Sequence, residues 1–596
     1  MLKMQETNAR PLQKPATLAR RRLFAAALNL GLIGVLLLWL AFILGAPHWT
    51  FTRGIIFGLY AIALPWNVLG LVNALIGLWL LHGRDDALRQ VAPFAGKPGL
   101  ARLRGRVAVL MTLRNEDPRR AVERLRAMAA DLESTRDGDA FDFFVLSDSD
   151  RDEIGRREEA AVAAWKRDAS RPDTIFYRRR PDNSGFKAGN ILDFCAHWGG
   201  RYAFMIPLDA DSLMSAETMV RLARMGEQNP QIGIIQTLAV GAPARSAFAR
   251  IFQFGMREGM RAYTMGAAWW AGDCGPFWGH NALVRIAPFE RHCRLPDLPG
   301  GRKILSHDQV EAAFMRRAGY ETRILPVETG SFEENPPTLV DFIQRENRWC
   351  RGNLQYVHLL GTPGLLPMSR FQLVWAIAMF AGAPAWTLML ALAALLPLVE
   401  DVSALPVASA LALYGVHLLM SQSPKVIGLL DRALTPEGVK SHGGLMLFLA
   451  GAAVESPASL FIGAATSFAV CLQILALPFS GGGVWGGQNR DAHDLTLEDA
   501  ARALWPQTVF GAGLLAALLV GAPDLALWTL PLWIGYLGAI PFACLTARPD
   551  IGVAFVAARL CATPEELAPP PVFEGLYAAP AFYDAAEETP IALEPR

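Results

Sequence analysis

The chain has 596 residues, 52% of them hydrophobic and 19% charged, and its 56 basic and 55 acidic side chains nearly cancel to a net charge of +1. A soluble protein carries about a quarter charged residues, and so neutral a balance gives no electrostatic argument for nucleic acid as a partner. Seven scattered cysteines (Cys195, Cys274, Cys293, Cys350, Cys471, Cys544 and Cys561) contain no C-x-x-C pair, which argues against a zinc ribbon or disulfide framework and fits a reducing compartment.

Residues 1–22 carry Lys3, Arg10, Lys14 and Arg20-Arg-Arg22, a basic flank expected to stay cytoplasmic. The apolar run from Leu23 to about Ala46 is long enough to cross a bilayer, and a second from Gly54 to Leu81 follows at once, which disfavours a cleaved signal peptide. Together they make a two-span block, 23–82. From 83 to 370 hydrophobicity falls and charge rises, as in a soluble domain. Further spans are expected at 371–398, 404–422, 507–523 and 525–545. The stretch 443–478 is interrupted by Glu455-Ser-Pro457 and reads as a hairpin or re-entrant pair. That reading closes the block 371–478 and lets both basic loops, 423–442 and 479–506, face the cytoplasm, with 507–546 as the last pair of spans. The expectation is about eight membrane segments with the soluble domain and both termini cytoplasmic. The tail 547–596, rich in Pro and Glu, is expected to be poorly ordered.

Inside the soluble block, Arg106–Thr112, Phe141–Leu146, Thr174–Tyr177 and Tyr202–Leu208 are short apolar runs, each ending in polar residues. A helical pattern follows the first, with Ala121, Leu125, Met128 and Leu132 on one face. Alternating strand and helix predicts an open, mostly parallel α/β sheet, whose ligands bind beyond the carboxyl ends of the strands. Asn115, Glu116, Asp148, Asp209 and Asp211 stand at those ends; any one alone could serve a turn or a cap. Asp209-Ala-Asp211, in extended geometry, would put two carboxylates on one face, a donor set suited to Mg²⁺ or Mn²⁺ shared with substrate phosphates. No Walker A pattern accompanies it. Lys187 opens a predicted helix, Ala188–Trp198, where it could meet a phosphate. Ser306 or Asp308 could cap the amphipathic helix carrying Val310, Ala313 and Phe314, or Asp308 could be a general base. Arg348-Trp349, on a predicted helix Leu339–Tyr356, offers a diphosphate grip and a flat face for a sugar ring; a tryptophan just ahead of a span also suits a membrane interface.

Asp148, Asp209/Asp211, Ser306-His-Asp308 and the segment around Arg348-Trp349 occur in the order that resembles processive, membrane-embedded family-2 glycosyltransferases. Phe277-Trp-Gly-His-Asn281, Ser306-His-Asp-Gln-Val-Glu-Ala-Ala313, Phe332-Glu-Glu-Asn-Pro-Pro337 and Arg348-Trp-Cys-Arg-Gly-Asn353 are similar to the glucans biosynthesis glucosyltransferase H family. Tyr177-Arg-Arg-Arg180, Lys187–Cys195 and Gln488-x-Arg490-Asp491 agree with it. The resemblance spans roughly residues 20–545. One departure is Arg345, where the general Q-x-x-R-W pattern has Gln; Gln344 lies one place early.

The resemblance implies a glycosyltransferase-A-type domain set between transmembrane helices in the bacterial inner membrane. It implies UDP-glucose as donor, Mg²⁺ (or Mn²⁺), and an inverting, processive synthesis of the β-1,2-glucan backbone of osmoregulated periplasmic glucans, extruded through the membrane domain. Thr112, Arg114, Asn115, Glu116 and Asp148 would hold the uridine. Asp209 and Asp211 would hold metal and diphosphate with Lys187 and Arg348, and Asp308 would be the base. Trp349, Arg345 and His307 would face the acceptor, and Trp485, Gln488 and Arg490 would sit in a gating loop, 479–506. Membrane lipid, the growing glucan, a periplasmic glucan-processing protein and an acyl carrier protein are the partners in view, and nucleic acid is not. The alternatives are a β-glucan synthase of another linkage, such as cellulose, and a non-catalytic sugar- or nucleotide-binding transporter.

Overall fold

The computed structural model describes residues 10–47, 49–96, 101–477 and 492–577. Trp485, Gln488 and Arg490 lie outside them. Two long helices, α1 (Pro15–Ile43) and α2 (Phe51–Gly83), lead through short α3 (Ala87–Val91) into β1 (Val107–Leu113). Then come α4 (Pro118–Glu133), β2 (Phe141–Ser147), α5 (Asp152–Asp168), β3 (Ile175–Arg179), α6 (Phe186–Trp198), β4 (Phe204–Leu208), β5 (Leu213–Met214) and α7 (Ala216–Gln228). The domain continues with β6 (Ile232–Thr237), β7 (Val240–Gly241), α8 (Ala247–Ala271), β8 (Ala282–Arg285), α9 (Ile286–His292), α10 (Asp308–Arg317), β9 (Glu321–Leu325), β10 (Ser331–Glu333) and α11 (Leu339–Leu354).

The expected open sheet is there, ordered β3-β2-β1-β4-β8-β6-β9, beside a small sheet β5-β10-β7. It is parallel except at β8, which runs antiparallel to β4 and β6. β1 is buried along its whole length because its alternating side chains serve two cores. Val107, Val109 and Met111 join Leu125 and Met128 of α4 on one face, while Ala108 and Leu110 join Ile191 and Phe194 of α6 on the other. Asp117 caps α4 by accepting from Arg119 N–H at 2.9 Å, with Pro118 in the first turn.

The second apolar block comprises α12 (Pro367–Val399), α13 (Val407–Leu434), α14 (Leu445–Ala476), α15 (Leu497–Gly521), α16 (Pro523–Ala526), α17 (Leu530–Leu537) and α18 (Ala539–Ala547). Among the described residues five helices (α1, α2, α12, α14 and α15) are long and apolar enough to cross a membrane, or six if α17 and α18, bent by 61°, form one broken span. The expected eight segments are therefore not found. α13 is less apolar than these, because His417 and the run Ser421-Gln-Ser-Pro424 interrupt its hydrophobic length. The hairpin expected at 443–478 is one continuous helix. Pro457 sits inside α14 without breaking it, and Glu455 is neutralised by Lys425 of α13. Gly255 of α8 makes the room, since a β-carbon there would collide with the Glu455 carboxylate. α14 packs first along α8, with Phe448 against Phe254, then along α11, with Ile462, Ala465 and Ala469 against Phe342 and Ile343.

Among the described residues, the tail as far as Tyr577 departs from the expectation of poor order. After Arg548 the chain forms α19 (Pro549–Ala557), α20 (Pro564–Leu567) and α21 (Pro571–Tyr577). Each begins on a proline, so prolines that suggested disorder instead mark helix starts, where a missing N–H costs nothing. Val572, Phe573 and Leu576 are buried in the core beneath α4.

A buried ionic chain joins these layers. Arg257 of α8 binds Glu328 at 2.5 Å and Glu565 of α20 at 2.6 Å. Arg432 of α13 binds Glu328 at 2.6 Å and Glu258 at 3.0 Å, and His442 reaches Glu258 at 3.0 Å. Burial opposes charge on Glu328, but Arg257 and Arg432 overcome it and press its carboxyl down to about 2. A depressed carboxyl stabilises the fold above its unfolded value, about 4.3, and that contribution fades as pH falls toward the folded value. Glu328→Gln is accordingly expected to lower the unfolding midpoint at neutral pH and to flatten its dependence on pH below about 5. Thermal unfolding in detergent across that range checks this, and an acid limb unchanged in the variant contradicts it.

Candidate active site

The carboxyl ends of β2, β1 and β4 lie side by side, and the polar residues expected there do gather. Asp148 leaves β2 with its N–H donating to Leu113 O at 2.8 Å. Its carboxylate sits in the fork of Arg180, with Nε and Nη2 each at 2.7 Å. Burial pushes the Asp148 carboxyl above its ordinary value, and Arg180 works against that. Asn115 takes a left-handed backbone (φ 54°), which Asn tolerates, so that its N–H meets Ser149 Oγ at 2.8 Å and its amide meets Asp150 at 2.6 Å. Arg114 lies 3.7 Å from Asp150, and Glu116 is half-buried in the same loop. Thr112 turns inward, its hydroxyl donating to Leu208 O at 3.1 Å, and so ties β1 to β4.

Asp209-Ala-Asp211 does not continue the strand as extended geometry required. It enters a turn, in which Ser212 N–H donates to Asp209 O at 3.0 Å and Asp209 N–H to Ser212 Oγ at 3.1 Å. The two carboxylates differ: Asp211 is buried, whereas the Asp209 side chain is 40% exposed and paired with Lys187 at the start of α6. Sequence reasoning missed what holds this turn. Arg124 of α4 donates to Ala210 O at 3.1 Å and pairs with Glu334, which Arg120 also grips at 3.0 Å. The signal was two arginines four apart on one helix and the Glu-Glu-Asn-Pro-Pro run beyond β10.

Asp308 is the first residue of α10. His307 stands at the cap position without a side-chain capping bond, so neither Ser306 nor Asp308 caps the helix. His307 instead bonds to Glu311 at 2.9 Å, both buried. Burial works against charge on the ring, and Glu311 more than compensates, raising His307 above its ordinary value. The loop 277–281 stitches this corner to the acidic turn. Gly279 (φ 81°) lies over Asp308 and His307, and the next residue, His280, meets Ser212 Oγ at 3.3 Å and Glu333 at 3.4 Å. Asn281, left-handed at φ 50° and fully buried, fixes the loop. Its N–H donates to Pro207 O at 2.9 Å, its amide to Ser331 Oγ and Phe332 O at 2.9 Å, and its carbonyl accepts from Thr237 Oγ1 at 2.6 Å.

α11 closes the opposite side. Leu305 N–H donates to Gln355 Oε1 at 2.8 Å, and Gly352 lies so close to Ser306 that a β-carbon there would collide with its Oγ. Trp349 is 42% exposed, with the Arg345 guanidinium 4.6 Å from its ring centroid and 4.9 Å from that of Phe342. Arg345 is thus buried in an aromatic stack, which accounts physically for arginine where the general pattern has Gln. Arg348 is half-buried on the same helix. Among the described residues no group of three or more His, Cys, Asp or Glu side chains is placed to hold a metal. Gly352→Ala should force α11 off the Ser306–Asp308 corner and cut turnover by about a hundredfold, the scale of a misplacement near 1 Å. Turnover measured beside nucleotide affinity checks this: both unchanged would refute the packing argument.

A family model described as "Glycosyl transferase family group 2" matches residues 204–420. "Glucans biosynthesis glucosyltransferase H" of Xanthomonas campestris pv. campestris is 35% identical over 87% of this chain and 83% of its own length. The protein of that name from Caulobacter vibrioides is 36% identical over 84% of this chain and 78% of its own, and that from Vibrio cholerae 35% over 86% and 73%. Among solved structures, a mannosyltransferase, PcManGT, from Pyrobaculum calidifontis in complex with GDP-Man and Mn²⁺ aligns with TM-score 0.38 and 17% identity, over 63% of this chain and 99% of its own. With its family-2 domain, its mostly parallel sheet and its apolar helices on both sides, the chain belongs to the glucans biosynthesis glucosyltransferase H family and is a membrane glucosyltransferase.

Proposed function

We propose that this enzyme polymerises glucose from UDP-glucose, with inversion and processively, into the β-1,2-glucan backbone of osmoregulated periplasmic glucans and passes it across the bacterial inner membrane. The observation that carries the reading is the stitched corner. Asp308, Gly279-His280, Ser212 and the Asp209–Asp211 turn form one connected surface at the strand ends, with Lys187 on Asp209. Asp148, Asn115 and their loop hold the uridine end. Lys187 and Arg348 meet the diphosphate. The Asp308 carboxylate takes the proton of the acceptor hydroxyl as that oxygen bonds to the anomeric carbon. The bond from that carbon to the diphosphate breaks, and UDP leaves with the electron pair. Trp349, stacked on one side by Arg345, gives its other face to the acceptor sugar.

The two carboxylates fit a divalent cation of the Mg²⁺ or Mn²⁺ kind: both offer oxygen ligands, Asp211 buried and Asp209 partly exposed, and such ions share their shell with substrate phosphates. Asp209 and Asp211 would hold it, and when bound it offsets charge on the departing diphosphate.

The reading keeps the soluble domain and both termini cytoplasmic. α14 is one continuous helix without a hairpin, and its two halves lie against α8 and α11 of the sheet domain. Asp308→Asn should lower turnover by about 10²–10⁴-fold, the usual contribution of a general base, while UDP affinity holds. Unchanged turnover sinks the base assignment. Linkage analysis of glucan made by the purified enzyme in lipid should give β-1,2 bonds; β-1,4 bonds favour the cellulose-like alternative, and no UDP release favours a binding protein.

A further inference from the structure

We propose that the C-terminal segment, residues 561–577, is a positioning element of the donor site, with Phe573 as its key residue. The inference rests on the reading that the Asp209–Asp211 turn receives the donor diphosphate.

That turn has two supports. One is the small sheet: β5 starts two residues after Asp211 and pairs through Leu213 with Phe332, the middle residue of β10, which also pairs with Val240 of β7. The other is Arg124 of α4, bonded to Ala210 O and held by Glu334, two residues beyond Phe332. α21 lies behind both. The Phe573 ring meets Phe332 edge-on at 4.8 Å between centroids, and Val572, Phe573 and Leu576 are at most 2% exposed. Gly575 faces Ala127, on the helix that carries Arg120 and Arg124.

The segment does not reach this place by apolar contact alone. Glu566 binds Arg250 at 2.6 Å and Glu565 binds Arg257 at 2.6 Å, both arginines on α8. Cys561 Sγ donates to Gly451 O of α14 at 3.8 Å. The strap thus runs from α14 and α8 to the back of the acidic turn. Its role is indirect: Phe573 touches neither donor nor acceptor, and it acts by fixing where the two carboxylates stand.

The test compares the full-length enzyme with Phe573→Ala and Phe573→Leu, and with Asp209→Asn as a reference. UDP affinity with Mg²⁺, KM for UDP-glucose, kcat and the unfolding midpoint are measured on each. Phe573→Ala should weaken UDP affinity and raise KM by about three- to tenfold, the range of couplings carried through packed side chains, with kcat at saturation nearly kept. Phe573→Leu should restore most of both. If Phe573→Ala does not accumulate, Val572→Ala, which removes less volume, carries the same comparison. A lower unfolding midpoint with UDP affinity and KM unchanged per folded molecule overturns the proposal and leaves the segment as a plain stabiliser. If Asp209→Asn itself leaves UDP affinity and the Mg²⁺ requirement unchanged, the reading of the turn fails first, and the proposal falls with it.

Discussion

The site depends on one buried amide. Asn281 adopts a backbone conformation that most L-residues avoid, and its backbone N–H, backbone carbonyl and side-chain NH₂ join β4, β6 and β10. A buried polar group left unbonded costs about 1–3 kcal/mol, so moving the loop would forfeit several such bonds together. Because Gly279 and His280 precede it directly, the loop cannot drift without carrying the contacts to Asp308 and Ser212 with it. Two motifs separated by about a hundred residues therefore meet through a third.

The same economy governs the contact between the sheet domain and the apolar helices. α8 is the go-between. Gly255, Gly259 and Gly266 lie where it meets Glu455, Lys425 and Asn73, and at Gly255 and Gly266 a β-carbon would collide with α14 and α2. Charges that would be costly beside lipid are instead consumed against the soluble domain, as with Glu258, Arg432 and Glu328. The interface is thus both close-packed and ionic, and it behaves as the inner seam of one molecule more than as a joint between two.

Much of this was legible in the sequence where a single local pattern decided the outcome. β1, β2 and β4 read as strands because parallel strands covered on both faces are continuous apolar runs, and Asp148, Asp209 and Asp211 stood at their ends. β5 and β7 have two residues each, too few for any period to register, so the small sheet behind the acidic turn was invisible. Glu455-Ser-Pro457 looked like a break because its neutralising partner, Lys425, lies on another helix, and no local pattern reports that pairing. The terminal prolines misled for a related reason: composition weighs how many there are, while structure depends on where each falls in a helix. Arg124 could have been suspected from its spacing to Arg120, but its partner Glu334 lies some two hundred residues away in sequence.

The docking of α21 bears on how the protein is made. Val572, Phe573 and Leu576 share one core with Val107, Met128 and Phe332, residues translated far earlier. Domains ordinarily fold as units while synthesis proceeds from the N-terminus. Here the catalytic domain emerges between two sets of apolar helices with one face of its core still open, and that face closes only after the last helices have left the ribosome. Its final packing is therefore coupled to the completion of the membrane domain, and a chain interrupted before α21 leaves that face of the core uncovered.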